Sequence, residues 1–328
     1  VLDSSRAGEG LHFGMRSPVG VSLLAIGVRT FTYISKVDVQ QPAAQSAGSL
    51  FLSRGWSMPF FTVDGQALHY IDQGTGPAVL LAGSYLWDQA MWAPQIAALS
   101  PHYRVIALDL WGHGESGRFP EGTTSLADIA RQAQALLDHL DIDRVTLVGL
   151  SVGGMWGVRL ALSAPQRING LVLMDTYVGV EPEPTRQYYF SLFKQIEESG
   201  EISEQLLDIV VPIFFRPGID PQSALYQEFR AKLAAYSSDR LRESIVPMGR
   251  ITFGRDDLLS RLGELNAATT LVMCGDQDKP RPPSETQEMA ELIGCPWVLV
   301  PEAGHISNLE NPEFVTEALL TFLSERNR

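Results

Sequence analysis

A serine flanked by glycines at the end of an apolar run is the feature of this sequence that most constrains its fold. Ser151 lies in residues 149–154 (GLSVGG), directly after residues 144–148 (RVTLV). The apolar run predicts a buried strand, and the residues after the serine predict a helix. Glycines on both sides remove the Cβ clashes of a sharp strand-to-helix turn. A serine hydroxyl at such a corner is suited to act as a nucleophile when a general base lies beside it.

The composition narrows the kinds of partner that this chain can have. It has 328 residues, of which 45% are apolar, and a formal net charge of −13. An acidic chain without a stripe of Lys and Arg is repelled by phosphate backbones, so we expect no nucleic-acid partner. We expect no membrane partner either, because the apolar run at 19–28 is too short to span a bilayer.

The two cysteines, Cys274 and Cys295, are too few for a disulfide framework. They fall at opposite ends of the neighbouring predicted strands 269–275 and 296–300, which is too far apart for a disulfide. Reduced thiols are typical of cytoplasmic proteins, and we expect a cytoplasmic location.

Residues 1–57 differ from the rest of the chain. They are rich in Gly, Ser, Gln and Ala and show no sustained period. A secretory signal is one interpretation, because the apolar run at 19–28 is followed by a stretch at 44–47 (AQSA) that resembles a cleavage site. Arg29 ends the apolar run early and further charges follow, which favours a disordered N-terminal extension instead.

From Phe60 onward the sequence alternates between predicted strands and helices. A hairpin is predicted at 60–71 around the Asp64-Gly65 turn. Apolar runs then predict strands at 78–81, 104–108, 144–148, 168–174, 269–275 and 296–300. Helical periodicity predicts helices at 91–99, 125–140, 152–163, 284–293 and 313–324. This alternation predicts an α/β fold with a mostly parallel central sheet and helices on both faces.

One stretch interrupts the alternation. Residues 182–255 contain only helical patterns, at 186–198, 203–215, 222–236 and 238–250. A helical insertion between two parallel strands is placed to cover the carboxyl edge of the sheet, where ligands bind in such folds. We therefore predict a core of residues 58–180 and 256–328, with a helical lid of residues 181–255 inserted after the sixth strand.

A serine nucleophile needs a base, and the base needs an acidic group that fixes its tautomer. Asp276 and Asp278 both follow the strand at 269–275, and His305 follows the next strand. All three side chains are therefore predicted to emerge at the same sheet edge as Ser151. The order serine, aspartate, histidine, each after its own strand, predicts a catalytic triad in which either aspartate can supply the acid.

From about residue 59 to 326 the chain resembles the α/β-hydrolase family. The stretches that carry the resemblance occur in the family's order and are residues 72–77 (DQGTGP), 80–84 (LLAGS), 109–116 (DLWGHGES), 149–154, 275–280 (GDQDKP) and 304–305 (GH). Several ordered matches are more specific than any single one.

The resemblance implies roles for individual residues. It gives Asp278 the acid position, so that Asp278 stays ionised and orients His305, which accepts the proton of Ser151. It assigns the two backbone N–H donors of the oxyanion hole to Val152 and Ser84. The chain departs from the family at residues 82–83, where Ala-Gly stands in place of the usual His-Gly. Since the donor is a backbone group, this change puts the loop geometry in question rather than the function.

Serine as the nucleophile favours acyl transfer. Family members that cleave carbon–halogen bonds or epoxides carry aspartate at this position, because they form an alkyl ester. The resemblance therefore implies a cofactor-free hydrolase of a carboxylic ester or lactone, similar to small bacterial enol-lactonases and acyl-lactone hydrolases. A carbon–carbon bond hydrolase or a perhydrolase with the same triad, and a non-catalytic ligand receptor of the same fold, remain open alternatives.

We expect the substrate to be a small molecule held in an apolar pocket. We expect the protein to be a monomer or a homodimer. Four pocket candidates follow predicted strands: Tyr85, Leu86 and Trp87 come after the oxyanion loop, and Trp111 comes after the strand at 104–108. The candidates in the predicted lid are Phe214, Phe215, Met248 and Phe253. Aromatic residues in a lid also pack the lid itself, so the choice among them stays open.

Other motifs favour structural interpretations. Residues 112–117 (GHGESG) match the G-x-G-x-x-G pattern of a dinucleotide site, but a turn-rich stretch follows where such a site needs a helix. We therefore expect no nicotinamide or flavin cofactor, and we expect His113 to be structural. We expect no metal site, because the remaining histidines show no ligand spacing with each other or with the cysteines.

Overall fold

The computed structural model describes residues 59–326. The two interpretations of residues 1–57 lie outside the described residues. The described residues form these strands: β1 (Phe60–Val63), β2 (Gln66–Gln73), β3 (Ala78–Ala82), β4 (Arg104–Leu108), β5 (Val145–Leu150), β6 (Ile168–Met174), β7 (Thr270–Gly275) and β8 (Trp297–Val300).

These strands form one sheet in the order β1-β2-β4-β3-β5-β6-β7-β8. β2 is antiparallel to both β1 and β4, and every other pairing is parallel. Each of the six residues of β5 and of β7 is buried, as expected for strands covered on both faces. The predicted mostly parallel sheet is confirmed, and its parallel strands bring their carboxyl ends to one edge.

Helices connect the strands. They are α1 (Ala93–Leu99), α2 (Leu126–His139), α3 (Val152–Ser163), α4 (Glu183–Ser199), α5 (Glu204–Val210), α6 (Ala224–Ala234), α7 (Val246–Phe253), α8 (Pro283–Ile293) and α9 (Pro312–Arg326). Shorter helical turns lie at Gln89–Trp92, Pro165–Arg167, Val211–Phe214, Ser238–Arg240, Leu241–Ile245, Leu259–Glu264, Ala267–Thr269 and Ser307–Glu310.

The start and the buried face of helix α2 follow directly from its sequence. The Ser125 side chain accepts from the Asp128 N–H, and the Asp128 carboxylate accepts from the Ser125 N–H, which makes a capping box with aspartate in place of the usual glutamate. Ile129, Ala133 and Leu136 share the buried face of the helix. The cap and the apolar stripe together fix where the helix begins and which side meets the sheet.

Two predicted helices are shorter than the pattern indicated. The helix predicted at 203–215 ends at Val210 and continues as a 3₁₀ turn, Val211–Phe214. Pro212 lacks the N–H that an α-helix needs at that point, which explains the change. The helix predicted at 91–99 starts at Ala93 after a 3₁₀ turn. Pro94 favours the first turn of a helix, which explains this later start.

The residues between β6 and β7 form the helices α4 to α7, and residues 183–253 are called the helical insertion below. Cys274 and Cys295 are both free thiols, as predicted. Within residues 59–326, no helix combines the length and the apolar character that crossing a bilayer would require.

A buried cluster of charges joins the two ends of the helical insertion to the loop after β7. The Glu181 carboxylate, just before α4, accepts from Arg255 Nη1 at 2.9 Å and from Arg281 Nη2 at 2.7 Å. Glu181 is 1% exposed and Arg255 is fully buried. Glu285 lies 3.5 Å from Arg281 on the other side. Removing one partner of such a group leaves an uncompensated charge in a low dielectric, which is costly.

We expect Glu181→Gln to lower the free energy of unfolding by about 3 kcal/mol, because two buried guanidinium groups lose their counter-charge. Urea denaturation of the purified protein measures this change. Glu183→Gln is the matched control: Glu183 is exposed and pairs with Arg186 one helical turn away, so little change is expected. Equal losses in the two variants would contradict the proposed importance of the cluster.

Burial raises the pKa of Glu285 from an ordinary value of 4.5 to about 7, against the opposing effect of Arg281. A carboxyl whose pKa is higher in the folded state contributes stability at low pH, and that contribution is lost as pH rises toward the folded pKa. We therefore expect the stability difference between the unsubstituted chain and Glu285→Gln to fall between pH 4.5 and about 7. Denaturation across this pH range in both proteins measures the difference, and a flat difference would contradict the assignment.

Candidate active site

Ser151 occupies the strand-to-helix turn that the sequence predicts. It stands between β5 and α3 with a φ of 55°, in the left-handed region that non-glycine residues rarely adopt. Its N–H donates to Met174 O at 2.9 Å, and its C=O accepts from the Thr176 hydroxyl at 2.6 Å. These bonds to β6 and the residues after it hold the strained backbone in place.

The glycines around Ser151 are required by close packing. A Cβ at Gly153 would lie 2.2 Å from Ala82 O, at the end of the neighbouring strand β3. A Cβ at Gly149 would lie 2.6 Å from the Gly153 backbone. The turn therefore presses α3 against the carboxyl end of β3, which places Ser151 beside the loop that follows β3.

His305 and Asp278 meet Ser151 at this edge of the sheet. His305 Nε2 lies 3.0 Å from Ser151 Oγ, and His305 Nδ1 lies 2.9 Å from Asp278 Oδ2. All three residues are less than one-tenth exposed. Since the carboxylate accepts from Nδ1–H, Nε2 is the ring nitrogen that is free to accept the serine proton.

Of the two candidate acids, the structure brings Asp278 to His305 and leaves Asp276 elsewhere. The second oxygen of Asp278, Oδ1, accepts from the Arg281 N–H at 3.0 Å. Asp276 is exposed, and its Oδ1 accepts from the Ala303 N–H at 3.2 Å. Asp276 thus braces the turn after β8 and makes no contact with the imidazole.

A glutamate that the sequence reasoning missed holds the loop of His305. Glu310 accepts from the Gly304 N–H at 2.7 Å and from the Arg216 N–H at 3.0 Å. The Ile306 N–H donates to Phe214 O at 3.0 Å. The loop that carries the histidine is therefore joined to the helical insertion directly at Ile306 and, through Glu310, at Gly304.

A second buried carboxyl lies behind Asp278. Asp175 accepts from the Gly275 N–H at 2.7 Å and from the Ser307 hydroxyl at 2.5 Å. Burial, followed by the nearby charge of Asp278, raises its pKa well above the usual range. Burial and the neighbouring Asp278 thus both disfavour the charged form of this carboxyl, while the Gly275 N–H and the Ser307 hydroxyl favour it.

Asp175, Asp278 and Cys274 are grouped closely enough to be considered as metal ligands, with one ligand atom from each within 4.8 Å of the others. Metal ligands must be deprotonated. Burial raises the pKa values of both the Cys274 thiol and the Asp175 carboxyl. The group is therefore better suited to the hydrogen bonds it makes than to a cation.

The predicted oxyanion donors lie on either side of the serine. Val152 is the first residue of α3, where helix N–H groups have no partner within the helix. The Ser84 N–H donates to Met91 Sδ at 3.4 Å, a weak acceptor, and Ser84 lines the cavity beside Ser151. Neighbouring Tyr85 also lines this cavity. The assignment of the second donor to Ser84 stays a prediction.

A cavity of about 90 Å³ lies beside Ser151 and His305. Its wall is almost entirely aliphatic and aromatic, and most of it comes from the helical insertion. Of the predicted pocket residues, it is lined by Tyr85, Leu86, Phe214 and Phe253.

The other pocket candidates, Trp87, Trp111, Phe215 and Met248, do not line this cavity. Trp87 stacks on Phe229 with ring centroids 4.1 Å apart. Trp111 turns away from the cavity and donates its indole N–H to Gln132 of α2 at 2.7 Å.

Phe215 packs against Tyr226, with ring centroids 5.5 Å apart, so it fills the interior of the insertion. Met248 is fully buried and does not line the cavity, which Thr252 and Phe253 of the same helix reach. Adjacent positions on a helix point in different directions, which is why single residues could not be chosen from the sequence.

Four of the cavity residues that sequence reasoning missed share one helix face. Tyr189, Leu192, Phe193 and Ile196 of α4 line the cavity at spacings of three, one and three residues. This stripe is visible in the sequence as a helical period and could have been used. Arg281, from the loop after β7, was also missed and adds the guanidinium of the buried charge cluster to the wall.

A profile of the alpha/beta hydrolase family matches residues 78–318. The chain belongs to the alpha/beta hydrolase family. The resemblance inferred from the motifs is confirmed, and so is the prediction of a hydrolase.

Similar proteins in this family are named for different activities. It is 31% identical over 313 residues to the dihydrolipoyllysine-residue acetyltransferase component of an acetoin cleaving system from Pseudomonas putida, covering 93% of this chain and 80% of the relative. It is 28% identical to 3-oxoadipate enol-lactonase 2 of Acinetobacter baylyi, covering 81% and 96% of the two chains. The solved enol-lactonase of Burkholderia xenovorans matches with a TM-score of 0.72 at 27% identity, covering 81% and 100%.

In this hydrolase we expect Gly153→Ala to cost about 2 kcal/mol or more of stability and to lower activity strongly, because the added Cβ meets the backbone of β3. Gly263→Ala is the matched control, since the nearest atom to its Cβ would be 3.8 Å away. Thermal unfolding and ester turnover of both variants measure the effect. A Gly153→Ala variant as stable and active as Gly263→Ala would show that the packing around Ser151 is looser than described.

Proposed function

We propose that this chain is a cofactor-free serine hydrolase that cleaves a carboxylic ester or lactone. The observation that carries the proposal is the continuous chain of hydrogen bonds from Ser151 to His305 to Asp278, with distances of 3.0 and 2.9 Å, beside an apolar cavity. A nucleophile, a base and an acid in this geometry are suited to acyl transfer.

The proposed reaction has two halves. Ser151 Oγ attacks the carbonyl carbon while His305 Nε2 takes the hydroxyl proton, and the carbonyl oxygen becomes an oxyanion. The intermediate collapses by breaking the bond to the alcohol oxygen, which receives the proton from His305. Water then repeats the attack on the acyl-serine with His305 as base, and the acid product leaves. In a lactone the alcohol and the acid stay on one molecule.

Electrostatic stabilisation of the oxyanion is assigned to backbone groups. The Val152 N–H is at the positive end of α3, where partial charge favours an anion. The second donor comes from the loop after β3, with Ser84 as the residue named from the sequence. The Asp278 carboxylate stabilises the imidazolium that forms when His305 holds the proton.

The helical insertion is proposed as the lid that defines substrate shape. Its side chains supply most of an apolar wall, which favours an acyl or alcohol group without charge. The enol-lactonase relatives support a lactone or ester as the bond that is cleaved. Turnover measured on a panel of esters and lactones distinguishes the two kinds of substrate.

We expect Ser151→Ala to reduce p-nitrophenyl ester turnover by about 10⁴-fold or more while the protein stays folded. Asp278→Asn should cause a loss of about 10⁴-fold, because His305 loses its orienting carboxylate. Asp276→Asn is the matched control, and its turnover should remain close to that of the unsubstituted chain. The measurement is steady-state kinetics on a panel of esters and lactones, with circular dichroism to check folding.

A fluorophosphonate probe gives an independent readout, since it should label the unsubstituted chain and leave Ser151→Ala unlabelled. Turnover by a folded Ser151→Ala variant would refute the proposal. Stoichiometric binding of esters and lactones without turnover would favour a ligand receptor, and activity confined to a dienone or to peroxide-dependent bromination would favour the carbon–carbon hydrolase or the perhydrolase.

A further inference from the structure

The loop after β3, residues 83–87, contains a turn with an unusual residue in it. The Trp87 N–H donates to Ser84 O at 3.2 Å, which closes a four-residue turn. Leu86, the third residue of the turn, has a φ of 71°. A positive φ at this position is the mark of a type II turn, where glycine or asparagine is the usual residue. Leucine in this conformation is strained, so other contacts must hold it.

His113 supplies such a contact. It is fully buried, and its Nε2 accepts from the Leu86 N–H at 2.9 Å. Its Nδ1 lies 2.9 Å from Trp111 O, which can only accept, so Nδ1 carries the ring proton. Burial lowers the pKa of His113 to about 4, and the ring is therefore neutral with Nε2 available as an acceptor.

The loop that carries His113 is itself rigidly held. The Asp109 carboxylate accepts from the Glu115 N–H at 3.1 Å, within the same loop, and from the Gln89 N–H at 2.7 Å, just beyond the turn of Leu86. His69 Nδ1 lies 2.6 Å from the same carboxylate. Asp109 thus joins the two loops at one point and His113 joins them at another.

The turn of Leu86 also faces the reacting groups. Ser84, Tyr85 and Leu86 all line the cavity together with Ser151. The Tyr85 ring packs against His113 with centroids 5.6 Å apart, and its hydroxyl donates to Ile245 O in the helical insertion at 2.8 Å. The side chains on both sides of Leu86 are held in place. The directions of the backbone N–H groups in residues 83–87 therefore depend on the conformation of the peptide at Leu86.

We propose that His113 is a positioning residue for the reaction: by accepting the Leu86 N–H, it locks residues 83–87 in the turn that aims a backbone N–H at the oxyanion. This inference rests on the proposed function, because it concerns the oxyanion of acyl transfer. His113 does not touch the substrate and transfers no proton. Its loss should therefore act on the transition state rather than on substrate binding.

Two substitutions separate the two hydrogen bonds of the ring. In His113→Gln, the amide oxygen reaches the position of Nε2 and can still accept from Leu86. In His113→Asn, the shorter amide reaches the position of Nδ1 and can still donate to Trp111 O, but the bond to Leu86 is lost. His102→Asn, at an exposed histidine outside the site, is the control for substitution as such.

The experiment measures kcat and KM for a p-nitrophenyl ester and the inhibition constant of a trifluoromethyl ketone, which forms a tetrahedral oxyanion on the serine. For His113→Asn we expect kcat to fall by about 10²-fold, the loss typical of one oxyanion donor, and KM to change by less than about twofold. The ketone should bind more weakly in proportion to the loss in kcat. His113→Gln should recover most of both quantities, and His102→Asn should match the unsubstituted chain.

Leu86→Gly provides a second test that does not depend on the folding of one variant. Glycine adopts a positive φ without strain, so the turn should need His113 less. The loss caused by His113→Asn should therefore be several-fold smaller in the Leu86→Gly background than in the unsubstituted one, which a double-mutant cycle measures.

The outcomes separate the two proposals. Full activity in a folded Ser151→Ala variant would overturn the proposed function and this inference with it. An inactive Ser151→Ala variant combined with equal kcat values for His113→Asn, His113→Gln and the unsubstituted chain would overturn this inference alone. A change confined to KM, or equal losses in both backgrounds of the cycle, would also overturn it.

Discussion

The site depends on a single backbone constraint, the left-handed conformation of Ser151 at the end of β5. This conformation costs of order 1–3 kcal/mol and persists because the surrounding sheet determines it. Neighbouring β6 receives the serine N–H at Met174 O, and β3 meets the following turn where Gly153 lies against Ala82 O. The nucleophile is thus positioned by three adjacent parallel strands, and the helices and loops that complete the site are arranged around that fixed point.

The buried carboxyl groups and ion pairs near Ser151 form a second set of constraints on the site. Asp278 receives hydrogen bonds from His305 and from the Arg281 backbone, while burial and the charge of Asp278 raise the pKa of Asp175 behind it. The Arg281 side chain pairs with Glu181, so one residue contacts both the orienting acid and the base of the helical insertion. Because buried ion pairs are weak evidence for stability by themselves, their location is the more informative fact: they join both ends of the helical insertion to the loop after β7.

The sequence was sufficient for the sheet and for the three residues that meet at its edge. Alternating apolar runs locate the parallel strands, and strand ends place Ser151, an aspartate and His305 together. Spacing alone left Asp276 and Asp278 equivalent, because their separation comes from a turn: it buries Asp278 against the imidazole and leaves Asp276 in solvent.

Features that depend on the direction of a single side chain could not be predicted. Trp111 follows β4 at the correct edge, yet the turn after the strand points its indole toward α2. Glu310 is ten residues beyond the end of the last strand, and nothing in the local pattern indicates that it would bind the backbone of Gly304 and Arg216. Long-range hydrogen bonds of this kind are made by tertiary structure and leave no periodic pattern in the sequence.

Glu310 holds two elements at once, the loop of His305 and the start of the segment after Phe214. Outward movement of that segment would take away the Arg216 N–H and the bond between Ile306 and Phe214 at the same time. The loop that carries the imidazole would then lose its link to that segment. The placement of the base is thus coupled to the placement of the segment that begins at Arg216.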